Sequence, residues 1–177
     1  TTLTASGANT YVWSPGTGLS GTTGSTVTAN PIATQTYTVV GTNGVGCTGQ
    51  STVQVVVNPL PTATITGTNI LCFGDTTTLT AGGGTSYVWS NGPTTAGNTV
   101  IPGTTTTYTV TVTDGNTCTD TETATVTVNP LPVVSFTGVD TICNGDSTTI
   151  TAAGGTSYVW SNGPTTAGQI LAPNTST

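Results

Sequence analysis

Along most of this chain apolar and polar residues alternate at a spacing of two, and the alternation stops wherever Gly, Pro, Asn or Asp gather. Tyr108, Val110 and Val112 alternate with Thr107, Thr109, Thr111 and Thr113, and Ala124, Val126 and Val128 alternate with Thr123, Thr125 and Thr127. Successive side chains of an extended strand point to opposite faces, so the pattern predicts strands with one buried face and one threonine face. No stretch carries apolar residues at the helical spacing. Between residues 61 and 131 the pattern predicts strands near 62–67, 76–81, 85–90, 98–101, 106–113 and 121–128.

The pattern also repeats, with a period of 71 residues between the second and third copies. Tyr87-Val88-Trp89-Ser90-Asn91-Gly92-Pro93-Thr94-Thr95-Ala96-Gly97 recurs unchanged from Tyr158 to Gly168, and Tyr11-Val12-Trp13-Ser14 is a diverged earlier copy. Asn58-Pro59-Leu60-Pro61 returns as Asn129-Pro130-Leu131-Pro132, while Cys47 maps to Cys118, Cys72 to Cys143 and Asp75 to Asp146. A repeat of this kind implies a tandem array. It divides the chain into module 1 (1–60, lacking its first strand), a complete module 2 (61–131) and a truncated module 3 (132–177), a window onto a longer array. Each copy has one Trp on its third strand, Trp13, Trp89 or Trp160, and Tyr37 and Tyr108 sit on the penultimate strands of the first two. That is the arrangement of an immunoglobulin-like β-sandwich, where the Trp fills the space between sheets. The expected fold is therefore all-β, with tandem Ig-like sandwich modules joined as a rod by Pro-restricted linkers.

Composition narrows the function. The chain has no Lys, Arg or His, six acidic residues and a formal charge of −6. Nucleic acid binding needs cations to displace counterions, a P-loop needs its Lys, and an anionic membrane would repel the chain. Catalysis loses its usual base, amine nucleophile and oxyanion clamp, so no enzyme is expected. Fifty threonines favour strands, and no apolar run is long enough to insert in a membrane.

Four cysteines without CxxC spacing or His partners suit an oxidising compartment. A Cys72–Cys118 bridge would clip one end of module 2 and close about 47 residues, worth about 4 kcal/mol on the chain-entropy estimate. Cys47 and Cys143 would then pair outside this window or between chains. The competing Cys47–Cys72 pair would tie neighbouring modules together. Asp114, Asn116, Asp120 and Glu122 cluster in one hairpin and offer oxygen ligands of the sort Ca²⁺ accepts, although a solvated hairpin is the plainer reading.

Ile142-Cys143-Asn144-Gly145-Asp146, Thr149-Ile150-Thr151-Ala152, Tyr158-Val159-Trp160-Ser161 and Thr106-Thr107-Tyr108-Thr109-Val110-Thr111-Val112-Thr113-Asp114 together resemble the Ig-like or PKD-like repeats of large Bacteroidota surface adhesins associated with gliding motility and type IX secretion. The resemblance implies export to the cell surface and a role as stalk, adhesin or filament. Its partners would be neighbouring modules, identical chains and surface glycans. Asp75-Thr76-Thr77, Asp140-Thr141-Ile142 and Asp146-Ser147-Thr148 also resemble bacterial O-glycosylation sites of that group, with Thr76, Thr141 and Ser147 as acceptors. The alternative reading is an array of carbohydrate-binding modules appended to a secreted enzyme, which needs aromatic residues on an exposed face.

Overall fold

The computed structural model describes residues 1–173, which form fifteen short strands and no helix. The first repeat supplies β1 (Thr2–Thr4), β2 (Thr10–Ser14), β3 (Thr26–Thr28), β4 (Gln35–Thr42) and β5 (Thr48–Val55). In the second lie β6 (Thr64–Thr66), β7 (Ile70–Cys72), β8 (Thr77–Gly82), β9 (Ser86–Trp89), β10 (Gly97–Val100), β11 (Thr106–Thr113) and β12 (Thr119–Asn129). From the third come β13 (Ser135–Thr137), β14 (Thr148–Ala153) and β15 (Gly168–Leu171). They form five small sheets, ordered β1-β3, β2-β4-β5, β10-β8-β6, β7-β12-β11-β9 and β13-β14-β15. Six of the seven strands of the second repeat fall where alternation places them, whereas β7 is not foreseen.

By its internal contacts the chain separates into two units, and the separation does not follow the repeat. One unit comprises Thr1–Gly67, Leu79–Asn98 and Tyr108–Ala124; the other comprises Thr68–Thr78, Thr99–Thr107 and Thr125–Thr177.

In the first unit, β2, β4 and β5 form an antiparallel meander with Trp13 opposite Val39 and Tyr37 opposite Val53. The side chains of one face meet β1 and β3, so that Leu3, Trp13, Val27, Ala29 and Tyr37 bury one another, edged by Ala5, Leu19, Val39 and Val55. Both large aromatics carry a polar atom into this core, and each finds a backbone carbonyl. Trp13 Nε1 donates to Gly24 O at 2.9 Å and Tyr37 Oη donates to Thr17 O at 2.8 Å. Elsewhere in this unit β9 pairs with β11, placing Trp89 opposite Val110, and β6 pairs with β8, placing Ile65 opposite Ala81. Trp89, Val110 and Val112 are buried, and Trp89 Nε1 donates to Thr95 O at 3.0 Å. Beside it the buried Asn98 amide exchanges two hydrogen bonds with Asn91, at 2.8 and 3.2 Å.

The second unit holds the parallel pairing of β7 with the end of β12, Leu71 opposite Val128. Val126 and Leu71 are buried there, and Thr77 Oγ1 donates to Thr68 O at 2.9 Å. Threonines on the outer faces bond in cross-strand pairs, Thr78 with Thr99 at 2.9 Å and Thr107 with Thr125 at 2.8 Å. Such pairs contribute a few tenths of a kcal/mol, up to about 1 kcal/mol each. The β13-β14-β15 sheet is antiparallel, but none of its residues is buried, and Val134 and Phe136 are exposed.

The core assignment has a direct test. Leu79→Ala, at a buried position, is expected to lower stability by about 3 kcal/mol, while Val88→Thr on the exposed face changes it by less than about 0.5 kcal/mol. Urea unfolding of the two variants measures both.

Candidate functional site

The acidic hairpin is built by its turn. β11 ends at Thr113 and β12 starts at Thr119, leaving Asp114-Gly115-Asn116-Thr117-Cys118 to reverse the chain. Asp114 Oδ1 accepts the backbone N–H of Asn116 at 2.8 Å and of Cys118 at 2.9 Å. The first repeat makes the same turn with Asn43, whose Oδ1 accepts the N–H of Val45 at 3.1 Å and of Cys47 at 2.9 Å. A carboxamide and a carboxylate serve equally, so the position requires an acceptor oxygen rather than a charge.

The other two acids also turn to backbone. Asp120 Oδ2 accepts Ala63 N–H at 2.9 Å, and Glu122 Oε1 accepts Thr123 N–H at 3.0 Å. Among the described residues no three His, Cys, Asp or Glu side chains converge as a metal site. The calcium reading of Asp114, Asn116, Asp120 and Glu122 gains no support from this arrangement: Asp114 organises a turn, and Asp120 anchors the strand that enters the second repeat.

Within that turn Thr117 has φ of +65°, a left-handed conformation that disfavours a β-branched residue, and the first repeat has Gly46 at the same place with φ of +89°. Thr117→Gly is expected to raise stability by about 1 kcal/mol, read as a higher Tm.

Cys47, Cys72 and Cys143 are exposed, Cys118 is half-buried, and all four are free thiols. The expected Cys72–Cys118 bridge meets the register of β12. Cys72 is the partner of Asn129 at one end of that strand, and Cys118 immediately precedes Thr119 at the other. Eleven residues of strand span about 36 Å, whereas a disulfide needs Cα atoms within about 7 Å. The bridge would require β7 to leave β12. Cys72 and Cys143 instead open equivalent turns in their own repeats: Asp75 N–H donates to Cys72 O at 3.1 Å and Asp146 N–H to Cys143 O at 3.0 Å. A non-reducing peptide map of air-oxidised protein is expected to contain no Cys72–Cys118 peptide; finding one as the main species contradicts this register.

Aromatic residues divide into two groups. Trp13, Trp89, Tyr37, Tyr108 and Tyr11 are buried, which leaves them no face for stacking on a sugar. Phe73 and Phe136 are exposed, and Trp160, expected to fill the space between sheets, is only half-buried. Acrylamide should quench one part of the Trp fluorescence, and Trp160→Phe should remove that part. The candidate glycosylation residues Thr76, Thr141 and Ser147 are all exposed, and Thr76 and Ser147 occupy equivalent loops before β8 and β14. Thr141 Oγ1 donates to Asp140 Oδ1 at 3.2 Å.

One feature was not foreseen from sequence: a groove of about 590 Å³ in the first repeat, lined by Thr4–Ala8, Trp13, Val39 and part of β5.

The chain matches no protein-family model and no curated protein. Fold and site together define an all-β protein of internal repeats whose polar side chains serve the backbone.

Proposed function

We propose that this chain is a structural or adhesive repeat segment of an extracellular surface fibre or stalk, built of Ig-like sandwich modules and without catalytic chemistry. The observation that carries the reading is the same tryptophan arrangement in three consecutive repeats. Trp13, Trp89 and Trp160 each donate Nε1–H to a carbonyl farther along the chain, Gly24, Thr95 and Thr166, at 2.9, 3.0 and 2.9 Å. The tyrosine two residues earlier closes a short loop in every copy: Tyr11, Tyr87 and Tyr158 donate to Ala8, Gly84 and Gly155 O at 2.9, 2.8 and 2.7 Å. Serial copies of one unit suit a part whose job is to set length and present a uniform surface.

Several features support the setting. The linkers Asn58-Pro59-Leu60-Pro61 and Asn129-Pro130-Leu131-Pro132 fix φ at their prolines and leave little slack. The outer faces are threonine ladders with almost no charge, compatible with glycans on Thr76, Thr141 and Ser147. Resemblance to Bacteroidota surface repeats supports export to the cell surface, with neighbouring modules, identical chains and surface glycans as partners. No nucleic acid or membrane contact is part of the proposal.

Mechanical extension tests it. Pulled from its two ends, the chain is expected to yield a discrete unfolding step of about 25 nm, the contour length released by one 71-residue repeat. Featureless extension at low force would remove the stalk reading.

A further inference from the structure

Asparagine followed directly by glycine occurs at Asn43-Gly44, Asn91-Gly92, Asn144-Gly145 and Asn162-Gly163. In such a pair the backbone nitrogen of the glycine can attack the asparagine side-chain carbonyl, because no Cβ on the second residue stands in the way. Three conditions decide whether it does. The attacking nitrogen must be unengaged, the carbonyl must be polarised, and the amide nitrogen must be free to leave. The folded chain sets these conditions differently at each pair.

At Asn91 and Asn162 the fold withholds them. Gly92 N–H donates to Trp89 O at 3.0 Å and Gly163 N–H to Trp160 O at 2.9 Å, so each attacking nitrogen is held to a carbonyl. The Asn91 amide is paired in both directions with the buried Asn98, and Asn162 Nδ2 donates to Gln169 Oε1 at 2.9 Å. Asn43 is the opposite case. It is exposed, and among the described residues neither Gly44 N–H nor Asn43 Nδ2 has a hydrogen-bond partner. Its Oδ1 accepts Val45 N–H at 3.1 Å and Cys47 N–H at 2.9 Å. These two donors polarise the carbonyl and already stand where negative charge grows on Oδ1 as a tetrahedral intermediate forms. Asn144 is also exposed, but its side chain has no such donors among the described residues.

We propose that Asn43 is a self-modifying site that converts to aspartate through a succinimide, with the N–H groups of Val45 and Cys47 stabilising the oxyanion. Gly44 N loses its proton to water and bonds to Asn43 Cγ, an intramolecular attack favoured by proximity. The bond from Cγ to Nδ2 then breaks, and Nδ2 takes a proton from water and leaves as ammonia. Water reopens the five-membered ring, giving aspartate when the new bond from Gly44 N to Cγ breaks and isoaspartate when the original peptide bond breaks. The net reaction consumes one water, releases one ammonia and turns an amide into a carboxylate. The aspartate product fits the turn, because Asp114 makes the same two hydrogen bonds in the second repeat. The inference rests on this turn alone and does not depend on the fibre reading.

The test incubates the full chain at neutral pH and follows each asparagine by mass spectrometry of peptides from a non-tryptic protease. Asn43 is expected to react about tenfold faster than Asn144, the lower end of what a hydrogen bond to a charged group supplies, with Asn91 and Asn162 slower still. In unfolding urea the advantage of Asn43 over Asn144 should disappear. Gly44→Ala should suppress the conversion with the turn intact, because a Cβ there meets only Asn9 Oδ1 at 3.7 Å, an ordinary contact. The proposal is overturned if Asn43 reacts no faster than Asn144 in the folded chain, if its advantage persists in urea, or if the Gly44→Ala chain reacts as fast as the parent.

Discussion

Burying an indole is what the rest of each repeat is arranged around. A tryptophan brings a large apolar area and one N–H that must not go unpaired, because an unsatisfied buried donor costs about 1–3 kcal/mol. In all three copies the acceptor is a backbone carbonyl of the loop that follows the Trp. In the second and third copies that loop also closes on itself, through Gly92 N–H to Trp89 O and Gly163 N–H to Trp160 O. Meeting the donor thus fixes the loop, and the loop delivers β10 or β15 to its partner. The third copy keeps every one of these bonds, yet its Trp160 is half-exposed. In the second copy Val110 of β11 lies opposite Trp89, and both are buried. Hydrogen bonding shapes the repeat; apolar cover makes it stable.

The outer surface follows from an absence of charge. With no Lys or Arg to pair, the six carboxylates are free to serve as acceptors for backbone N–H groups, and four of them do so. The strands are joined across their outer faces by threonine hydroxyl pairs instead of ion pairs. Hydroxyl pairs need no counter-ion and are not screened by salt, unlike surface ion pairs.

Much of the fold was legible in the sequence because both of its signals are local. Alternation places β11 at residues 106–113, and the identical segments Tyr87–Gly97 and Tyr158–Gly168 make the same indole hydrogen bond six residues along the chain. What was missed depends on partners far along the chain. β7 has only three residues and its parallel pairing with β12 leaves no periodic trace, so the place of Cys72 beside Asn129 was not legible. The acidic residues were grouped because they are near in sequence, whereas Asp120 serves Ala63 and Asp114 serves its own turn. Phe73 and Phe136 are exposed, one in a turn and the other on an edge strand, and neither place is marked by the alternation.

The measurement that addresses the central claim most directly is hydrogen exchange at the three indole N–H groups, resolved by NMR. If the Trp arrangement organises each repeat and apolar cover stabilises it, Trp13 and Trp89 exchange only as their repeats unfold, while Trp160 exchanges much faster despite its own hydrogen bond. Equal and rapid exchange of all three would show that the indole bonds do not hold the repeats together and would contradict the account.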